Sequence, residues 1–309
     1  MIFDIIHHTS RIARSIGWLT LKLVCSEREL RAAIKTAQEQ GFHVHIVGQN
    51  VFTKLPVTTG PTITLGTAKP GRYKIAHYTD PHWGSKHSSK QGQIDFLRFA
   101  WSEGCRVVAA TGDNTDGVKP LLVPEQRVTG ADEQIDEGVQ IWKRVVKIGC
   151  PFSIAAISGN HDGYSSHAIG SDIGRLTEER MQAEGIDWHH AGTCIGNAVL
   201  HGARTHLWHP MGAASTTNAI RRMLNNKAEK LDVPTDLILS GHLHHYAAFH
   251  AAAEDIYCAA GGTFQMKRYE FANRITGPWD VGGSILTFTV DRRGRACEFS
   301  SKFYPIVQR

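Results

Sequence analysis

Four times along this chain a short apolar run stops at a turn carrying acidic, amide or imidazole side chains. Residues 73–78 lead into Thr79-Asp80-Pro81-His82, and 106–110 into Gly112-Asp113-Asn114-Thr115-Asp116-Gly117. Residues 152–157 lead into Gly159-Asn160-His161-Asp162, and 237–240 into Gly241-His242-Leu243-His244-His245. Apolar runs this short, bounded by Gly and Pro, read as buried strands ending in turns. Between the first three lie stretches of helical period. One covers 91–103, with Ile94, Phe96, Leu97, Phe99, Ala100 and Trp101 on its apolar face and Gly104 as its stop; the other covers 134–148. Strand, helix, strand, helix, strand predicts an α/β unit with parallel strands. Such sheets collect ligands outside the carboxyl ends of their strands, so the polar turns are expected to meet.

The pattern continues with a helix over 177–184, a strand near 198–200 and a strand at 205–208 that ends in His209-Pro210. A helix over 217–230 precedes the 237–240 strand. Beyond it the pattern is all β: 256–260, 284–290, a turn at Asp291-Arg292-Arg293-Gly294 and a last strand near 296–303. The first seventy residues read as a separate small unit, with the larger domain over 71–309. Ser26-Glu27-Arg28-Glu29 forms a capping box. Leu30, Ala33, Ile34 and Ala37 follow at helical spacing, and two alternating strands (42–47 and 51–55) flank a Gly48-Gln49-Asn50 turn. Helix then hairpin resembles the end of a winged-helix module. Residues 56–70 read as a connector with one strand at 62–65.

Composition narrows the class. Six cysteines with no C-x-x-C pair among 309 residues fit free thiols in a reducing cytosol, against a disulfide framework or a zinc knuckle. Met1-Ile2-Phe3-Asp4 does not open a secretory signal, and no apolar run reaches the roughly 20 residues of a bilayer span. A cytoplasmic, membrane-independent protein is expected. The net charge of +5 is compatible with a polyanionic partner and equally with ordinary solubility. Arg11, Arg14, Lys22, Arg28, Arg31 and Lys35 concentrate basic charge in the first unit, where they suit a nucleic-acid backbone or simply a solvated helix face.

With 18 histidines in the chain, one pair on a turn carries little weight; the ordered set carries more. Asp80-x-His82, Gly112-Asp113-x-x-Asp116-Gly117, Gly159-Asn160-His161-Asp162, a later strand-end histidine and Gly241-His242-x-His244 resemble the calcineurin-like metallophosphoesterase superfamily, in its phage and archaeal branch. The resemblance spans about residues 73–290. It implies a four-layer α/β/β/α sandwich. It also implies two divalent metal ions: Asp80, His82 and His244 on the first, Asn160, His209 and His242 on the second, and Asp113 between them. A carboxylate shared by two cations holds them about 3.5–4 Å apart, a spacing suited to clamping a phosphoryl group, and the cations acidify a bridging water into a nucleophile. The neutral Asn160 leaves the site net positive. Mixed N and O donors without thiolate suit Mn²⁺, with Fe or Zn²⁺ as alternatives.

By the same resemblance His161 donates to the phosphate or its leaving-group oxygen, Asp162 orients it, and Asp116 organises its loop from behind the ligands. His209, in Leu207-Trp208-His209-Pro210-Met211-Gly212, is preferred over His201 as the fourth-block ligand. His245 is read as structural or as a rim residue, and glycines at 261–262 as sites of close backbone approach. The implied function is hydrolysis of phosphodiesters, with nucleic acid as the expected substrate. A phosphomonoesterase or nucleotide phosphodiesterase is the alternative, and a non-catalytic scaffold of the same fold stands behind both.

Overall fold

The structure, a computed structural model, describes residues 14–15, 19–20, 23–39, 43–47, 50–54, 58–119, 122–212, 214, 216–251, 255–267 and 279–307. The chain divides into two compact units, Met1–Val57 and Thr58–Arg309. The first holds β1 (Arg14–Ser15), α1 (Glu27–Glu39), β2 (His43–Val47) and β3 (Asn50–Lys54). Its antiparallel sheet has the order β1-β3-β2. The capping box is made: the Ser26 amide donates to Glu29 Oε2 at 2.8 Å and the Glu29 amide to Ser26 Oγ at 3.3 Å. Leu30 and Ile34, one helical turn apart, are buried. Arg11, Lys22 and the Gly48-Gln49 turn lie outside the described residues.

The second unit begins earlier than the pattern suggested. Residues read as a connector supply β4 (Thr58–Thr59) and β5 (Ile63–Leu65), which pair with strands more than a hundred residues downstream. Such pairing leaves no trace in local periodicity. The order continues with β6 (Gly71–Tyr78), α2 (Lys90–Ser102), β7 (Val107–Thr111), α3 (Ala131–Lys147), β8 (Ser153–Ser158), α4 (Asn160–Ile169), α5 (Ile173–Ala183) and β9 (Asp187–Thr193). Next come β10 (Ile195–Leu200), β11 (Ala203–Trp208), α6 (Thr217–Ala228), β12 (Leu237–Ser240), β13 (Ala247–Ala251), β14 (Ile256–Ala260), β15 (Gly282–Val290) and β16 (Ala296–Pro305). One sheet runs β16-β15-β6-β7-β8-β9-β4, and the other β13-β14-β12-β11-β10-β5. The expected parallel run is present as β6, β7 and β8, and β9 extends it by one strand. Strands β11, β12 and β14 form a second parallel run in the other sheet.

Both faces of the central strands are covered, which is why they read as unbroken apolar runs. Val107, Ala109, Ala155 and Ile157 pack between the sheets against Leu207, Leu237 and Leu239. Val108, Ala110, Ile154 and Ala156 turn outward to a core shared with Phe96, Leu97, Ile135 and Trp142 of α2 and α3. Ile220 and Leu224 of α6 close the far face over Ile238 and Cys258. The layers are helix, sheet, sheet, helix. All six cysteines are free. Among the described residues no helix is long and apolar enough to cross a membrane.

Local differences have local causes. Helix α3 starts at Ala131, after Gly130, and α5 starts at Ile173, where Asp172 accepts from the Gly174 and Arg175 amides at 2.9 and 3.3 Å. Helix α4 begins inside the Gly159-Asn160-His161-Asp162 turn itself. Its glycine, serines and histidines are weak helix formers, so the pattern concealed it. Strands β9 and β13 were also not anticipated.

Trp83, Trp142 and Trp188 form a buried aromatic cluster, with ring centroids 5.9 Å (Trp83–Trp188) and 5.7 Å (Trp142–Trp188) apart. Gly138 of α3 lets that cluster close: a Cβ there would lie 2.3 Å from the Trp83 ring. Replacing an interior helical glycine by alanine ordinarily gains about 1 kcal/mol. Here overpacking, about 1–3 kcal/mol, opposes the gain. Gly138→Ala is expected to lower the denaturant midpoint; a raised midpoint would contradict the packing described.

Candidate metal centre

Adjacent parallel strands bring their carboxyl ends side by side, and the loops leaving β6 and β7 continue to pair. The amides of Asp80, His82 and Trp83 donate to the carbonyls of Gly112, Asp113 and Asn114 at 3.1, 3.1 and 2.8 Å. The β12 loop joins from the other sheet: the His242 amide donates to both Asp80 carboxylate oxygens at 3.0 Å. Gly241 permits that approach, because a Cβ there would lie 2.3 Å from the Thr111 carbonyl oxygen. The backbone is bent sharply to aim these side chains. Asp80, His82, Asp113, His242 and His244 all have positive φ, between 48° and 71°. Asp and His tolerate this region better than most residues, yet each such position still costs on the order of 1–2 kcal/mol. Strain concentrated in this way marks a site where aim has outweighed stability.

Two groups of donors result. Asp80, His82 and His244 present atoms within 4.8 Å of one another, and so do Asp113, His209 and His242. A third group of His82, Asp113 and His161 overlaps both, so Asp113 lies where they meet. His209 Nδ1 lies 2.8 Å from the Thr111 carbonyl and must donate to it, which makes Nε2 the lone-pair nitrogen of the neutral ring. That nitrogen faces Asp113 Oδ2 at 3.3 Å and Asn160 Oδ1 at 3.1 Å, both acceptors. His82 Nδ1 is 3.4 Å from Asp116 Oδ1, and its Nε2 is 3.4 Å from His244 Nε2 and 3.9 Å from Asp113 Oδ2. His244 Nε2 in turn is 3.2 Å from Asp80 Oδ1. Buried acceptors pointed at one another repel unless a cation lies among them.

The electrostatics agree. Burial works against ionising Asp80 and Asp113, but His244 beside the first and His209 beside the second hold both carboxyls below the usual range. Burial likewise pulls His209 down, and the Asp113 carboxylate outweighs it, leaving His209 at about 9. Burial, reinforced by the nearby His209, takes His242 down to about 3. Protons therefore balance charge that divalent cations would otherwise balance. The buried His/Asp groups, with oxygen and imidazole donors and no thiolate, fit a dinuclear metal centre.

Behind the donors the structure revises one role. Asp162 does not orient His161. Its buried carboxylate accepts from the amides of Gly159, Asn114 and Thr115 at 2.8, 3.0 and 2.7 Å, and from Thr115 Oγ1 at 2.9 Å. Three residues after the N-cap Gly159, it folds back onto the Gly159 amide and so caps the first turn of α4, and it ties that helix to the Asp113 loop. His161 is oriented by backbone: its Nδ1 lies 2.7 Å from the Asp116 carbonyl, and its amide donates to Asp113 Oδ1 at 2.8 Å. The amino end of α4 thus supports the Asp113 charge. Asp116 backs His82 and accepts from Gln126 Nε2 at 3.0 Å.

Other residues are sorted by distance. His201 lies apart from the centre, stacked on Tyr73 at 4.4 Å, with its Nδ1 accepting from the Thr67 amide at 3.1 Å. His245 Nδ1 is 3.8 Å from Asp280 Oδ2. Phe264 is core, 4.9 Å from the Tyr78 ring, and Gln265 Nε2 donates to Ser85 Oγ at 3.2 Å. Close approach at Gly261 is present: a Cβ would lie 2.1 Å from Thr79 Cγ2. Sequence reasoning missed the Thr111 carbonyl, Gln126, Tyr164 and Trp279, whose ring is 4.3 Å from that of His244. Gln126 and Trp279 carry no local signal, because they reach the centre through tertiary packing; Tyr164 follows His161 by one helical turn, but the helix itself was not anticipated.

No family model matches the chain, and no curated protein matches it. Solved structures do match. They include a conserved uncharacterized protein of Streptococcus pneumoniae described as a predicted phosphoesterase (13% identity, 76% of this chain and 98% of that one, TM-score 0.36). Vps29 of Chaetomium thermophilum matches at 10% identity over 75% of this chain and 100% of that one, TM-score 0.36. A hypothetical protein of Pyrococcus horikoshii matches at 9% identity over 76% and 88%, TM-score 0.41. The two sheets with helices on their outer faces form the α/β sandwich expected from the sequence. Likeness at this level leaves the chemistry to be read from the side chains.

Asp162→Ala would leave three buried amides without acceptors, each worth about 1–3 kcal/mol. Equilibrium denaturation is expected to register a loss of at least about 3 kcal/mol; a loss below about 1 kcal/mol would refute the capping role.

Proposed function

We propose that the chain is a dinuclear metal-dependent phosphoesterase that hydrolyses phosphodiesters of nucleic acid. The observation that carries the reading is the opposed set of buried acceptors around Asp113, which belongs to two of the donor groups. Asp80, His82 and His244 would hold one ion, Asn160, His209 and His242 the other, and Asp113 would touch both; Mn²⁺ suits these donors, as do Fe and Zn²⁺. When bound, the pair of cations supplies positive charge to a phosphoryl group and lowers the pKa of water.

The protein's own groups do the rest. Thr111 and Asp116 fix the tautomers of His209 and His82, which keeps their Nε2 lone pairs turned inward. His161 has its Nδ1 committed to the Asp116 carbonyl, so the proton it gains or releases sits at Nε2, toward the leaving-group oxygen. Burial lowers its pKa, against the pull of Asp113, which makes the protonated ring a stronger acid. Arg28 and Lys35 of α1 supply basic charge for docking a nucleic-acid backbone; Arg31 is paired with Glu27 at 2.8 Å.

Elemental analysis tests the centre: Asp113→Ala is expected to lose both ions, Asp80→Ala one, and His201→Ala neither. With Mn²⁺, His161→Asn should lower kcat on bis-nitrophenyl phosphate about 10²–10⁴-fold, the usual worth of general acid catalysis. The wild type should cleave that diester and DNA; turnover of a nitrophenyl monoester alone would exclude the phosphodiester reading. The salt slope of DNA binding should fall by roughly 0.9 for each phosphate contact removed in Arg28→Ala or Lys35→Ala.

A further inference from the structure

The centre belongs to a succession of neighbouring rings that continues beyond it from His244 and from His161. Trp279 lies 4.3 Å from His244, centroid to centroid, and His244 lies 5.4 Å from His82. His82 is 4.7 Å from His161, and His161 is 5.4 Å from Tyr164. Lys119 Nζ then stands 4.3 Å from the Tyr164 ring centroid. His82 and His244 are buried, whereas Trp279, Tyr164 and Lys119 are only partly so. The ends of the row therefore reach the surface while its middle holds the chemistry.

The ends differ in kind. Trp279 offers a large indole on the His244 side, and Asp280 next to it is anchored: its amide donates to the His244 carbonyl at 2.9 Å, and its Oδ2 accepts from the Tyr246 amide at 2.8 Å. On the His161 side the terminal group is a cation. Tyr164 follows His161 by three residues on α4 and so lies on the same helix face. Its ring supports the Lys119 ammonium through a cation–π contact. A planar group next to His244 and a cation-bearing ring next to His161 match a base beside the scissile phosphate and a neighbouring phosphate further along the strand.

Resting on the phosphoesterase reading above, we propose that Trp279 and the Lys119–Tyr164 pair are the two arms of a substrate track that selects single-stranded nucleic acid over small diesters. A free strand can splay a base onto an aromatic ring, whereas a duplex keeps its bases stacked.

The test uses full-length protein with Mn²⁺ and a fluorescein-labelled, phosphorothioate-linked single-stranded 12-mer, read by anisotropy across a salt series. Trp279→Ala is expected to weaken binding between about fivefold and a hundredfold with an unchanged salt slope, and Trp279→Phe to restore most of it. Lys119→Ala should reduce the magnitude of the log–log salt slope by about 0.7, the value for one phosphate on a single strand. In turnover, the loss in kcat/KM for the unmodified 12-mer should exceed the loss for methyl nitrophenyl phosphate by at least tenfold in Trp279→Ala. Affinity within twofold of wild type in Trp279→Ala, an unmoved slope in Lys119→Ala, or tighter wild-type binding to the duplex would overturn the track. If the wild type binds with this signature yet hydrolyses no diester, the phosphoesterase reading falls and the track stands. If it hydrolyses the small diester while both variants bind the strand as wild type does, the track falls and the centre stands.

Discussion

The second unit depends on how one carboxylate is held. Asp113 sits in a left-handed backbone at the end of β7, buried, with Oδ1 accepting from the first turn of α4 and Oδ2 facing His209 from the other sheet. A strand end from each of the two sheets and a helix are thus referenced to a single side chain. A buried charge with this many neighbours must be compensated from every direction, since an unpaired carboxylate in the interior would take up a proton instead. The surrounding architecture satisfies that condition.

Two kinds of support keep the arrangement in place. The loops after β6 and β7 pair through backbone hydrogen bonds, so Asp80, His82 and Asp113 move as one body. Asp162 then clamps the Asp113 loop to α4 through backbone donors, a stiffer link than contacts between side chains. Beneath both lies the tryptophan cluster, with Gly138 shaved to admit Trp83. The backbone hydrogen bonds between the loops hold positive-φ conformations at the donor positions in place.

Much of this was legible in the chain. The runs before Asp80, Asp113, Asn160 and His242 are strands, the first three are parallel, and their turns do meet. A strand ending in Gly-Asp or Gly-Asn is a local statement, and local statements survive folding. The role given to Asp162 was wrong for a reason of the same kind: adjacency in sequence to His161 suggested contact, but in the first turn of a helix the third residue faces back to the cap. Helix α4 was hidden because capping hydrogen bonds, and not propensity, start it. Strands β4 and β5 were hidden because only distant partners make them strands.

By itself the sequence determined which atoms could serve as donors, in what order, and at the end of which strand, because residue type and periodicity are properties of the chain alone. The tertiary structure decided which donors share a cavity, that His209 enters it while His201 stacks on Tyr73, and which nitrogen each imidazole turns inward. It also placed Trp279 and Tyr164 at the two ends of the row. Those outcomes depend on the register between two sheets and on which backbone carbonyl lies beside which ring. No short stretch of sequence encodes a distance across 130 residues; packing the two faces of the sandwich against each other sets it.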